Sequence, residues 1–91
     1  MPLYFMNIQG QDGLTKDDEG TEYSNAETAR REAVYSAKRL VAENLKSGWS
    51  LHDALDQKFE VTDDKGIVVV TVPFAEGAEA DLKNMTLKGV V

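Results

Sequence analysis

The sequence predicts an α+β fold of order β-β-α-β-β, an antiparallel sheet with one long helix packed on one face. Three observations carry this expectation. An aromatic, alternating stretch opens the chain (LYFMNIQ, residues 3–9), and a helical pattern runs from residue 26 to 46 without glycine or proline. Two β-prone runs, KFEVTD and GIVVVTVPF, then flank a DDKG turn.

In the first stretch Tyr4, Met6 and Ile8 alternate with Leu3 and Phe5, the period of a strand, and Pro2 stands where a missing N–H matters least. Gly10 and Gly13 in GQDG supply turn chemistry, so a short second strand around Leu14 to Lys16 pairs back as a hairpin. A further turn follows at DDEG. Ser24-Asn25-Ala26-Glu27 fits the capping box, with Ser24 as N-cap, and Gly48 is placed to end the helix. Ala26, Ala29, Ala33, Val34, Ala37, Leu40, Val41 and Leu45 fall within one arc of the helical wheel, roughly 160° wide. Much of that stripe is alanine, which suits close approach to a flat sheet.

Residues 49–57, WSLHDALDQ, form a connector with room for one helical turn beginning at Ser50, and Trp49 is expected to cap the end of the core. In the final run Ile67, Val69 and Thr71 alternate with Val68, Val70 and Val72. A strand apolar on both faces is expected in the sheet centre or covered on both sides. Pro73 ends its pairing. The domain therefore spans residues 1–75. Residues 76–91 form a partly flexible tail, with a weak helical option at 78–84 and a strand option at 86–91. One helix covers one sheet face only, so the spare face, with some of Leu3, Phe5, Phe59 and the valines, should meet a partner. A second copy is the simplest one.

The succession MPLYFMNI, LTKDDEGTE, AETARREAVYSA and KFEVTDDKGIVVVTVPF resembles a family of small uncharacterised proteobacterial domains of unknown function, abundant in rhizobia and their relatives. Asp17, Glu19, Gly20, Glu22, Arg30, Glu32, Ala33, Asp63, Gly66, Pro73 and Phe74 fall on its pattern. The chain departs from it at Leu3, Met6 and Asn7. The resemblance covers about residues 1 to 75 and implies a fold of this outline. It implies no activity.

Composition narrows the function. The 91 residues carry a net charge of −6, which argues against nucleic acid as a partner. The helix is the one basic segment, with Lys/Arg at 30, 31, 38, 39 and 46 against Glu at 27, 32 and 43. Without cysteine there is neither a disulfide nor a thiolate metal site. The opening residues do not read as a signal peptide, and no apolar run is long enough to cross a bilayer. A cytoplasmic protein with no membrane partner is expected.

The acidic loop is the place to test for calcium, and its ligand spacing does not fit an EF-hand. With Gly20 at position 6, Thr15, Asp17 and Glu19 take the early positions while Ala26 stands where the bidentate Glu is required. The frame through Gly13 is worse. His52 has no second imidazole or thiolate to share a metal, and Ser50, His52 and Asp53 do not make a triad. No phosphate-binding glycine motif is present. No catalytic residue, cofactor or metal site is expected, and the protein is read as a non-enzyme.

Arg30 is the residue that stands out, because a charge in the middle of an apolar arc must pair or snorkel. Asp17, Asp18, Glu19 and Glu22 are its nearest carboxylates in sequence. One reading is a structural clamp from Arg30 to the DDEG loop. The other is an anion or partner site at the helix start. Arg31, Lys38, Arg39 and Lys46 with Tyr35 read as a solvated helix face. Two functions survive. One is a protein-interaction or regulatory module, homodimeric or with an unknown protein partner, acting through a sheet face or edge. The other is a small-ligand or anion-binding domain, or an enzyme of unknown substrate, with its site at Arg30 and the loop.

Overall fold

The computed structural model describes residues 1–77. Its elements in chain order are β1 (Leu3–Gly10), β2 (Gly13–Thr15), β3 (Thr21–Glu22), α1 (Ala26–Lys46), α2 (Leu51–Leu55), β4 (Lys58–Thr62) and β5 (Val68–Pro73). Residues 74–77 add one helical turn. The helical and strand options considered for 78–91 lie outside the described residues. The sheet is antiparallel, ordered β2-β1-β4-β5, with β3 pairing the first two residues of β1. The α+β fold expected from the sequence is the fold observed.

Register decides which residues meet the helix, because residues directly opposite each other share a face. Met6 lies opposite Val61, Ile8 opposite Phe59, and Phe59 opposite Val72. That face is apolar and α1 lies on it. The helix contributes Ala29, Ala33, Ala37 and Val41, each four residues after the last. The three alanines have no exposed surface at all. Side chains this short let the helix backbone approach the sheet closely, and Tyr4, Phe59, Val61, Val72, Phe74 and Ala54 fill the remaining core.

The helix ends are held by specific bonds. Its N-cap is Asn25, one residue later than the expected Ser24. Asn25 Oδ1 accepts from the Thr28 N–H at 2.9 Å and from the Thr28 hydroxyl at 3.0 Å. Ser24 contacts only the Thr28 hydroxyl, and Glu27 turns to arginine instead of closing a capping box. At the other end Gly48 (φ +96°) carries the left-handed turn. Its N–H donates to Leu45 O and the Trp49 N–H to Asn44 O, the paired bonds of a Schellman motif. Asn25→Ala is therefore expected to lower stability by about 1 kcal/mol, and Ser24→Ala by much less, read from urea unfolding midpoints. Equal effects would return the cap to Ser24.

Three expectations are corrected by the packing. First, β5 is neither central nor covered on both sides, since it forms the outer edge of the sheet. Second, the spare face is less apolar than expected. Asn7, Gln9, Lys58, Glu60, Thr62 and Thr71 make most of it polar, and Phe59 points into the core, 3 % exposed. Third, Trp49 does not close the core. It is 45 % exposed, and Val41 and Ala54 occupy that end. The packed body also runs past residue 75. Gly77 is buried, and a Cβ on it would lie 2.8 Å from Lys38 N and 3.0 Å from Val34 O. The 74–77 turn thus sits directly on the backbone of α1.

Candidate functional site

The two halves of the expected site lie on opposite sides of the sheet. The DDEG loop follows the outer edge of β1, and Gly20 (φ +70°) rests on the Leu3 and Phe5 side chains of the spare face. A Cβ there would stand 2.8 Å from the Phe5 ring. Only glycine combines that backbone with that approach. Arg30 belongs to α1 on the other side. No hydrogen bond or ion pair joins it to Asp17, Asp18, Glu19 or Glu22 among the described residues.

Arg30 pairs instead with what lies beside it on the helix and with the returning chain end. Its Nε donates to Glu27 Oε2 at 3.2 Å and its Nη2 to Glu27 Oε1 at 3.3 Å. Its Nη1 donates to Glu76 Oε2 at 3.0 Å. The Arg30 hydrogen bonds, and then its charge, hold the Glu27 carboxyl below the usual carboxylate range. The same contacts, the Glu27 hydrogen bond foremost, raise Arg30 further. Both groups are well exposed, so this is a surface ion pair of modest strength. An anion arriving at Arg30 would have to displace two carboxylates.

Asp17 does the structural work of the loop. Its Oδ2 accepts from Met6 N at 3.1 Å, and its Oδ1 accepts from Glu19 N at 3.2 Å and Gly20 N at 3.1 Å. The Asp17 N–H donates to Asn7 Oδ1 at 2.9 Å, and Asn7 Nδ2 reaches Glu60 O and Thr62 Oγ1 on β4. Asp18, Glu19 and Glu22 are exposed. Glu22 Oε2 lies 3.9 Å from the Met1 ammonium.

The feature that sequence reasoning placed wrongly is the β5 edge. Phe74 N–H donates to Gln57 O at 2.9 Å, in the same ladder as the Val72–Phe59 and Val70–Val61 pairs. By alternation Thr71 and Pro73 direct their backbone groups away from β4. Thr62 faces Val68 while Val61 faces Val70, which leaves Val69 as the extra residue of a β-bulge. Ile67, Val68 and Val69 are 57 %, 49 % and 38 % exposed. No charged residue occurs between Ile67 and Phe74.

Residues 3–75 match the family described as Domain of unknown function (DUF6894). The chain belongs to this family. No curated protein and no solved structure matches it. The DUF6894 domain so delimited contains the whole sheet and α1, and it stops one residue short of Glu76, the second partner of Arg30. Among its described residues no group of three His, Cys, Asp or Glu is arranged to hold a metal ion. His52 stands exposed on α2. No described helix is long and apolar enough to cross a membrane.

Proposed function

We propose that this DUF6894 domain is a non-enzymatic interaction module that pairs with a second copy of itself along the β5 edge. The observation that carries the reading is the uncharged, exposed run Ile67-Val68-Val69 where the chain enters an outer strand. Edge strands are ordinarily guarded by charge, shortness or proline, because their free N–H and C=O groups recruit other strands. The opposite edge is guarded in this way, with β2 three residues long and β3 two. On β5 only Pro73 and the bulge at Val69 restrain pairing, so the regular part of the contact is residues 70–72, with exposed Val68 and Val69 flanking it.

Two further features favour a second copy as the occupant. Antiparallel pairing of a strand with itself is two-fold symmetric and needs no second kind of surface. The chain is strongly acidic, and like-charge repulsion between copies is least where no carboxylate stands. Light scattering of the purified protein should give twice the 10.0 kDa chain mass, and Val69→Lys should give the monomer with an unchanged circular dichroism spectrum. A wild-type monomer across the accessible concentration range would sink the proposal.

A further inference from the structure

The outer edge of β5 offers a partner strand few complete bonding positions. By alternation Val70 and Val72 direct their backbone groups to β4, and Thr71 and Pro73 direct theirs outward. Pro73 has no N–H to donate, and Val69 is the extra residue of the bulge, out of step with the pleat. Within the regular segment 70–72, Thr71 is thus the position that presents both an N–H and a C=O to a neighbour. We infer that two copies paired along this edge, the pairing on which this inference rests, place their two-fold axis at Thr71, so that each Thr71 faces the partner's Thr71.

A two-fold antiparallel pair in which outward residues stand opposite outward residues is centred on one residue. The regular segment allows three centres. An axis at Val72 sets Thr71 opposite the partner's Pro73, and the N–H that proline lacks leaves each Thr71 carbonyl unbonded. An axis at Val70 sets Thr71 opposite the partner's Val69, at the bulge of each copy. An axis at Thr71 lets the two threonines exchange both N–H···O=C bonds. It sets Pro73 opposite the partner's Val69, so proline and bulge meet at the ends of the ladder, where an absent bond costs least.

The side chains agree with this centre. Thr71 lies on the polar face beside Glu60 of β4, and threonine opposite threonine is a favourable cross-strand pair. On the helix side Val70 stands opposite the partner's Val72, which continues the apolar face across the seam. The exposed Val68 and Val69 come alongside the partner's Phe74 and Pro73, which withdraws apolar surface from water. Because the axis is normal to the sheet, the product is one sheet of order β2-β1-β4-β5-β5-β4-β1-β2. Both α1 helices lie on one side of it and the polar faces join on the other. The short strands β2 and β3 stand at both outer edges, so assembly stops at two.

The chain has no cysteine, so Thr71→Cys carries a single thiol, at an exposed position that does not put the fold at risk. Directly opposed bonded residues have Cα atoms about 5.5 Å apart, a separation that a disulfide spans. In this register the two Val69 Cα atoms stand about 13 Å apart along the strands, out of reach. Under mild oxidation Thr71→Cys should form a disulfide-linked dimer at least about tenfold faster than Val69→Cys, with both variants folded by circular dichroism. In the wild type the Thr71 amide should be protected from hydrogen exchange, and in the Val69→Lys monomer it should exchange at least about tenfold faster. A dimer that protects the Thr71 amide but links through Val69→Cys as fast as through Thr71→Cys overturns the register and leaves the edge pairing standing. A Thr71 amide that exchanges as fast in the wild type as in Val69→Lys overturns the edge pairing itself, and the register with it.

Discussion

Replacing Phe74 by alanine is expected to lower the free energy of unfolding by about 3–5 kcal/mol, the usual range for removing a buried phenylalanine. Phe74 follows the last residue of β5 and is 1 % exposed. Its ring packs on Phe59, with centroids 5.1 Å apart and planes tilted by 45°. Its backbone N–H extends the β4–β5 ladder by one bond to Gln57 O. The α1 residues in the same core are short, fully buried alanines, which have no side chain to swing into the space it leaves. Domains of this size are stable by only about 5–15 kcal/mol, so the loss should appear as a large fall in the urea midpoint. Tyr35→Ala, at a side chain 61 % exposed on α1, should stay within about 0.5 kcal/mol of wild type. A Phe74→Ala midpoint equal to that of Tyr35→Ala would show that the turn at 74–77 does not close the core.

Phe74 also marks where local pattern stops being informative. The helix could be read because its evidence is local: no glycine or proline from 26 to 46, an alanine stripe at helical spacing, and glycine just beyond. Its start was displaced by one residue because Ser24 and Asn25 are both good caps. Only the geometry at Thr28 separates them. The status of β5 could not be read in the same way. Its run of valines is as expected for a central strand, and its place at the edge depends on β4 pairing with β1, a contact about fifty residues apart in sequence.

Arg30 illustrates the same limit on the helix. The wheel puts it in the middle of the apolar arc, but angle alone does not say which segment returns to that side. Glu76, assigned to a tail, is the segment that does. The DDEG loop was closer in sequence and lies across the sheet from the helix. In sequence, Trp49 and the α2 carboxylates read separately as a cap, a poor metal set and a failed triad. What the fold adds is the hairpin turn at Gln11 and Asp12 opposite them, which turns separate residues into a cleft.

Asp17→Ala should be the most damaging change in the acidic loop, lowering stability by about 2–3 kcal/mol, while Asp18→Ala and Glu19→Ala stay within about 0.5 kcal/mol. The difference lies in what β1 lacks on its outer side. It pairs with β3 at Leu3 and Tyr4 and with β2 at Ile8 to Gly10. Between the two short strands the Met6 N–H has no backbone acceptor. The Asp17 carboxylate fills that position, and its second oxygen accepts from Glu19 N and Gly20 N as the chain turns toward β3. One side chain thereby joins two fragments into a continuous edge. It is a charged acceptor serving three donors, so its removal exceeds the effect of a single neutral bond. Water reaches the half-exposed donors, which keeps the effect below that of Phe74→Ala. Asp17→Asn separates charge from geometry, because the amide oxygen can satisfy one side of the arrangement only. It should fall between wild type and Asp17→Ala in urea midpoint. Hydrogen exchange at the Met6 amide should accelerate in both variants, with the amides of β4 protected as before. If Asp17→Ala leaves Met6 exchange unchanged, the carboxylate does not complete the edge, and the loop is held to the sheet by Gly20 on Phe5 alone.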